Sequence, residues 1–139
     1  MTQQGLLLDT HVWLHYLGAP RLLRALASKA IDAAVQNRSA FVSVISIWEL
    51  AMLERDGRIE LTGGIDRWTH QALLKPGIAL LPFSPDIAIE AVRLPPPMHN
   101  NPADRILVAS ARIERLSLVT ADRAIWTFAR TTGLALIRA

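Results

Sequence analysis

The sequence contains no cysteine, and this absence excludes disulfide bonds and zinc sites built from thiolates. Lysine is scarce, with only Lys29 and Lys75 present. No apolar run approaches the roughly 20 residues that cross a membrane, and no basic segment opens a signal peptide. We therefore expect a cytoplasmic protein without a membrane span.

Length and composition favour a compact globular chain. It has 139 residues, of which 51% are hydrophobic and 19% charged, which excludes disorder and suffices for one packed core. We predict a single domain over residues 1–139. The formal net charge is +3, and thirteen of the fifteen cationic residues are arginine. Arginine suits bidentate contact with phosphate, although a GC-rich genome accounts for its abundance equally well.

Strand-like and helix-like segments alternate along the whole chain. Helices are expected over residues 10–17, 20–36, 46–57, 63–74, 85–93, from 102 onward, and from 122 to about 130. Short apolar runs predict five strands at residues 6–8, 41–45, 78–81, 116–120 and 134–137. This alternation predicts an α/β fold: a three-layer sandwich with a central, mainly parallel five-stranded sheet flanked by helices. The irregular connection over residues 95–102 predicts a lid or a substrate-facing loop.

Four carboxylates, Asp9, Glu49, Asp104 and Asp122, each lie where an apolar run gives way to a helix-like segment. In an open parallel sheet such junctions lie along one edge, where these folds bind ligands. Acids spread over more than a hundred residues therefore meet in one cleft. A cluster of this kind is best explained by a divalent metal ion.

Each acid taken singly also has a purely structural explanation. Ser46 followed by Glu49 has the spacing of a capping box, and Asn101 followed by Pro102 and Asp104 is typical of a helix start. A negative charge in a first helical turn also complements the helix dipole. The coincidence of four such acids favours the metal site.

Carboxylate oxygens are the ligands that Mg²⁺ prefers, and Mn²⁺ suits the same site. A divalent ion so placed favours phosphodiester hydrolysis, with one ion or two. Thr120, two residues before Asp122, offers a hydroxyl that orients a ligand or water, or caps a helix.

Other chemistries find little support. Glycine-rich dinucleotide and phosphate loops are absent, as is the nucleophile elbow of α/β-hydrolases. His11 and His15 lie four residues apart without the glutamate of a zinc-protease motif. A metal-free nuclease driven by histidine stays open, and it would leave a cyclic phosphate where a metal nuclease leaves a 5′-phosphate.

Four motifs carry a family resemblance over nearly the whole chain. They are LLDTHVWL at residues 7–14, SVISIWEL at 43–50, PADRILVA at 102–109 and LVTADRA at 118–124. In this order they resemble the PIN-domain family, and within it the VapC-type toxins of bacterial toxin-antitoxin pairs.

The resemblance implies a Mg²⁺-dependent endoribonuclease that acts on RNA, is inhibited by a VapB-like antitoxin and forms a homodimer. It assigns the acidic catalytic and metal site to Asp9, Glu49, Asp104 and Asp122. Relatives commonly have an aspartate where this chain has Asn101, which leaves the four acids intact.

The same likeness suggests that an apolar antitoxin helix docks in a groove. Trp13, Trp48 and Leu50 suit such a groove, although core packing is expected of at least one tryptophan.

Three rival functions remain open. A signalling receiver domain also uses an acidic Mg²⁺ pocket, but neither Lys29 nor Lys75 follows the last strands as that family requires. A PIN-like module that binds RNA or protein without cutting would not need all four acids. A structure-specific DNA nuclease would use the same chemistry, and the chain is short for one.

Overall fold

A computed structural model describes residues 4–139. Its one sheet has five strands, all parallel, in the order β3-β2-β1-β4-β5. The strands are β1 (Leu6–Leu8), β2 (Ala40–Ser43), β3 (Ile78–Leu81), β4 (Ser117–Thr120) and β5 (Leu136–Arg138). The predicted fold is therefore confirmed, and the sheet is wholly parallel.

Seven α-helices alternate with these strands in the described part of the chain. They are α1 (Thr10–Gly18), α2 (Ala25–Gln36), α3 (Val44–Arg55), α4 (Gly64–Leu74), α5 (Pro85–Arg93), α6 (Pro102–Glu114) and α7 (Arg123–Thr132). Among residues 4–139, no helix is both long enough and apolar enough to cross a membrane.

The central strand β1 determines where a ligand site can form. Leu8 pairs with Val42 of β2 on one side and with Val119 of β4 on the other. The chain runs outward from β1 through β2 to β3, and then returns to build β4 and β5 on the other side. The strand order thus reverses between β1 and β4, and ligand sites of such sheets lie at the carboxyl ends of the strands flanking this point.

Two hydrophobic cores cover the two faces of the sheet. One core contains Leu8, Val42 and Trp13, and the other contains Leu107 and Phe128. All five of these side chains are essentially inaccessible to solvent. Burial on both faces explains why the strands read as short continuous apolar runs.

The boundary between β2 and α3 differs from the prediction. The strand ends at Ser43, whose Oγ accepts a hydrogen bond from the backbone N–H of Ile45 at 3.1 Å and caps the helix. Ser46 is instead buried inside the first turns of α3. The predicted helix start at Ser46 is therefore wrong, and so is the alternative explanation of Ser46 and Glu49 as a capping box, because Ser43 supplies the cap.

The start of α2 also differs. Residues Pro20–Leu22 form a single turn of 3-10 helix, and Arg24 has extended backbone angles before α2 begins at Ala25. The predicted helix from Pro20 was too long at this end. Arg24 is left at the junction with its side chain exposed.

Two residues that were expected in an antitoxin groove lie in the core. Trp13 and Leu50 are fully buried, and the indole of Trp13 packs edge-on against Trp68 at 4.9 Å between ring centroids. Trp48 is 49% exposed. Of the three predicted groove residues, only Trp48 is available to a partner.

We expect Trp13→Ala to lower the free energy of unfolding by about 3–5 kcal/mol, because it removes a large side chain from a closed core. The matched control is Trp48→Ala, which we expect to change stability by about 0.5 kcal/mol or less. Urea denaturation of both variants measures the difference. Equal destabilisation by the two substitutions would contradict the burial of Trp13.

Candidate active site

The four predicted carboxylates line one cavity at the carboxyl edge of the sheet. Its volume is about 320 Å³. The lining residues are Asp9, His11, Val12, Glu49, Asn101, Asp104, Ala121 and Asp122. Asp9, Asp104 and Asp122 lie at the start of three different helices, as the sequence pattern predicted. Glu49 instead lies inside α3, because that helix begins at Val44.

Asp9 follows β1 and caps α1. One carboxylate oxygen, Oδ1, accepts a hydrogen bond from the backbone N–H of Thr10 at 2.7 Å. The other oxygen, Oδ2, accepts from the hydroxyl of Thr120 at 2.6 Å. Both contacts fix the carboxylate plane, and an ionised carboxylate still has lone pairs free on both oxygens.

Glu49 lies on α3 and reaches the cavity through Thr10. The Thr10 hydroxyl is 2.5 Å from Glu49 Oε1 and 2.8 Å from the Ser46 hydroxyl. A hydroxyl has one proton, and the carboxylate is the stronger acceptor, so Thr10 donates to Glu49 and Ser46 donates to Thr10. Ser46, which does not cap α3, thus supports the Glu49 side chain.

Asp104 lies in the first turn of α6, and its surroundings come from the preceding loop. Asn101 caps the helix, accepting through Oδ1 from the Asp104 backbone N–H at 3.2 Å. His99 Nε2 lies 3.4 Å from Asp104 Oδ2. The predicted role of Asn101 as a helix cap is confirmed.

Asp122 follows β4 and caps α7 by accepting from the backbone N–H groups of Ala124 and Ile125 at 2.8 and 3.3 Å. Its own N–H donates to the Thr120 hydroxyl at 3.1 Å. Thr120 therefore links Asp122 to Asp9, and it is not the cap of α7. Its hydroxyl orients a carboxylate, whereas the sequence predicted that it orients a ligand or water.

Burial and mutual repulsion raise the pKa values of three of these acids. Burial is the main cause of the raised pKa of Asp9 and of Glu49. Burial also raises the pKa of Asp104 to about 7, with further contributions from the negative charges of Asp9, Asp122 and Glu49. A cation in the cavity would lower all three pKa values.

The donor set suits a hard divalent cation. One ligating atom from each of His99, Asp104 and Asp122 lies within 4.8 Å of the others. However, His99 Nδ1 accepts a hydrogen bond from the backbone N–H of Asn101 at 3.3 Å, which places the proton of the neutral ring on Nε2, facing Asp104. In this arrangement His99 is a donor that orients Asp104, and within this group the ligands left for a cation are the carboxylate oxygens of Asp104 and Asp122.

Arg105 holds the irregular loop that forms one wall of the cavity. Its guanidinium donates to the carbonyls of five residues at 2.8–3.3 Å, namely Ala91, Val92, Leu94, Met98 and His99. The loop that was predicted as a lid or substrate-facing segment is therefore tied to α5, with Asn101 facing the cavity.

Sequence reasoning missed three residues of this site: Thr10, His99 and Arg105. Thr10 directly follows Asp9, but its bond to Glu49 spans 39 positions and leaves no local signal. His99 and Arg105 flank Asp104, and the presence of a histidine and an arginine near a candidate ligand is the signal that was available.

The comparisons with known proteins agree with this geometry. Residues 6–134 match the family model of the PIN domain. The chain belongs to the PIN-domain family. It is 36% identical over 117 residues to "Ribonuclease VapC22" of Mycobacterium tuberculosis, covering 84% of this chain and 86% of that protein.

Solved structures confirm the PIN fold. A chain of the VapBC2 structure from Rickettsia felis, which was bound to a promoter DNA fragment, aligns with a TM-score of 0.68 at 16% identity. The alignment covers 96% of this PIN chain and 97% of the Rickettsia felis chain. A chain of a toxin-antitoxin complex from Klebsiella pneumoniae aligns with a TM-score of 0.61 at 23% identity, covering 96% of each.

The raised pKa of Asp104 predicts that metal-free protein loses stability as pH rises. Its folded-state pKa of about 7 exceeds the ordinary value of about 3.9, so the folded state binds more protons than the unfolded state between these values. The free energy of unfolding therefore falls from about pH 4 to about pH 7 and levels off above. Thermal melts in a chelator should show this trend in the wild type, and Asp104→Asn should make it shallower, since the raised pKa values of Asp9 and Glu49 remain.

The control for this experiment is Asp86→Asn. Asp86 lies in the first turn of α5, is exposed and does not line the cavity. It should keep the wild-type pH dependence. If Asp104→Asn and Asp86→Asn behaved alike, the electrostatic account of the cavity would be contradicted.

Proposed function

We propose that this PIN-domain chain is the endoribonuclease toxin of a VapBC-type toxin-antitoxin pair, and that it hydrolyses RNA with a divalent cation held by Asp9, Glu49, Asp104 and Asp122. The observation that carries the proposal is the meeting of these four carboxylates in one cavity. The relative named ribonuclease VapC22 supports the reaction class and the substrate.

The proposed cation is Mg²⁺, with Mn²⁺ as an alternative, because the four carboxylates that line the cavity supply oxygen ligands. Such an ion supplies positive charge that polarises a phosphodiester oxygen and makes a bound water more acidic. The chain's own contribution is to fix the carboxylate planes. Thr120 and the N–H of Thr10 hold Asp9, and His99 and Asn101 hold the position of Asp104.

Glu49 is suited to accept the proton of the attacking water. Burial raises its pKa in the absence of a cation, and a bound cation would lower it, so the assignment rests on the position of the carboxylate. The hydroxyl of Thr10 keeps one of its oxygens in place and leaves the other free. Glu49 would therefore accept the proton, while Asp9, held by the Thr10 N–H and the Thr120 hydroxyl, would bind the cation.

The proposed partner is a VapB-like antitoxin. Chains of similar fold come from structures described as VapBC or toxin-antitoxin complexes. A groove for the antitoxin would involve Trp48, which is half exposed, and not Trp13 or Leu50. Homodimer formation and a cytoplasmic location stay predictions.

Two rival functions give different results in one assay. A binding module would need no acids, yet four line the cavity. A DNA nuclease would use the same acids on another polymer. We therefore test cleavage of labelled single-stranded RNA and DNA by the purified protein, with Mg²⁺, with Mn²⁺ and with a chelator.

We expect cleavage of RNA only when a divalent ion is present, with products that have 5′-phosphate ends. Asp9→Asn should reduce the rate by at least about a hundredfold, because it weakens the charge that acts at the reaction centre. Asparagine also caps a helix well, so the fold should persist, which circular dichroism can check. Asp86→Asn, the matched control, should cleave at the wild-type rate.

Several outcomes would overturn the proposal. Equal cleavage by Asp9→Asn and wild type would show that the acidic site does not carry out the cleavage. Cyclic phosphate ends formed in chelator would indicate a histidine-driven reaction. Cleavage of DNA alone would make the chain a DNA nuclease.

A further inference from the structure

Two arginines share one tryptophan ring beside the acidic cavity. The guanidinium carbon of Arg138 lies 4.7 Å from the ring centroid of Trp126, and that of Arg24 lies 5.5 Å from it. Both arginine side chains are exposed, whereas Trp126 is partly buried. We call these three residues the Trp126 clamp.

The fold places the clamp at the same sheet edge as the cavity. Trp126 lies one turn after Asp122 on α7, and its indole Nε1–H donates to the carbonyl of Thr120 at 2.8 Å. Arg138 is the last residue of β5 and pairs in register with Thr120. The Thr120 hydroxyl also donates to Asp9. Thr120 therefore contacts both the clamp, through its backbone, and one of the four acids, through its side chain.

The two guanidinium groups have no anionic partner within the described chain. Across residues 4–139, ion pairs form at Arg55 with Asp56 and at Arg112 with Glu90, and neither involves the clamp. Arg105, by contrast, uses its donors on backbone carbonyls. The clamp therefore keeps its hydrogen-bond donors facing solvent while the ring fixes the position of the charges.

This arrangement is more than packing requires. One arginine over the ring would be enough to fasten β5 to α7. A second cation on the same ring adds repulsion between like charges, which the negative face of the indole offsets only in part. Two unneutralised cations kept close together are the pattern expected of a site for anions, and arginine suits phosphate.

A polyanionic substrate also needs such a site. The cavity contains four acids, which repel the phosphates of RNA, so the strand must be attracted by positive charge outside the cavity. The clamp lies at the same edge of the sheet as the cavity, and it holds two arginine side chains over one aromatic ring. Single-stranded RNA offers phosphates to both arginines at once.

We propose that Arg24 and Arg138, positioned by Trp126, bind phosphate groups of single-stranded RNA and lead the strand into the acidic cavity. This inference rests on the proposed function, since it names how the substrate of that same site is held. An acidic peptide is the other class of ligand with suitable charge, and the test separates it from RNA.

The test measures binding without cleavage. Full-length protein with Asp9→Asn is titrated into a fluorescein-labelled RNA of about 20 nucleotides, and anisotropy is followed over a series of salt concentrations. The test variant adds Arg24→Gln and Arg138→Gln. The control adds Arg38→Gln and Arg115→Gln, which remove the same charge from exposed residues just before β2 and β4, at the opposite edge of the sheet.

We expect the test variant to bind RNA on the order of ten- to thirtyfold more weakly near 0.1 M salt, with a salt slope smaller by roughly 1.4, as two lost phosphate contacts imply for a single strand. The control should keep the affinity and slope of the Asp9→Asn parent. In the same Asp9→Asn background, Trp126→Leu should weaken RNA binding, while Trp126→Phe, which keeps an aromatic face under both arginines, should retain most of it.

Equal losses in the test and control variants would overturn the clamp, since net charge alone would explain them. Unchanged RNA binding with weakened binding of polyglutamate would also overturn it, in favour of an acidic peptide. If the test variant binds RNA normally while wild type cleaves it, the clamp fails and the proposed function stands. If the clamp controls binding but wild type cuts no RNA, the clamp stands and the proposed function fails.

Discussion

Repulsion among carboxylates in one cavity is the constraint on which the rest of the site depends. Asp9, Glu49 and Asp104 are partly removed from water, so their charged forms are poorly solvated. The negative charges of Asp9, Asp122 and Glu49 raise the pKa of Asp104 further. The fold resists this repulsion with neutral donors, the hydroxyls of Thr10 and Thr120. These contacts orient the acids without supplying the positive charge that a cation would bring.

The positions of the acids follow from features that are visible in the sequence. Asp9 and Asp122 come directly after short apolar runs, and parallel strands bring such positions to one edge. The helix start at Asn101 was equally visible. The start of α3 was not, because the β-branched residues after Ser43 fit a strand and a helix alike, and only the side-chain cap decides between them. Trp13 and Trp48 likewise differ in burial for reasons of tertiary packing that composition does not show.

Contacts between distant parts of the chain were beyond sequence reasoning. The five carbonyls bound by Arg105 lie at the end of α5 and on the loop after it, whose path the sequence does not specify. Arg24 and Arg138 lie over the same Trp126 ring only because the fold brings the start of α2 and the end of β5 to α7. The acids of the cavity and the two clamp arginines place opposite charges in different parts of the molecule. Negative charge is concentrated inside the cavity, and ring-held positive charge lies beside it, which is the distribution that a metal-dependent nuclease needs for a polyanionic substrate.

The central claim is tested most directly by titrating Mn²⁺ into the protein in an isothermal calorimeter. The titration is done in two buffers of different ionisation enthalpy, so that the difference in heat gives the number of protons released. Because the pKa of Asp104 is about 7 without metal, binding at about pH 6.5 should release protons, and the release should fall well above neutral pH and be smaller in Asp104→Asn. Binding with no proton release at either pH, or no binding at all, would contradict a cavity whose acids are coupled and relieved by a cation.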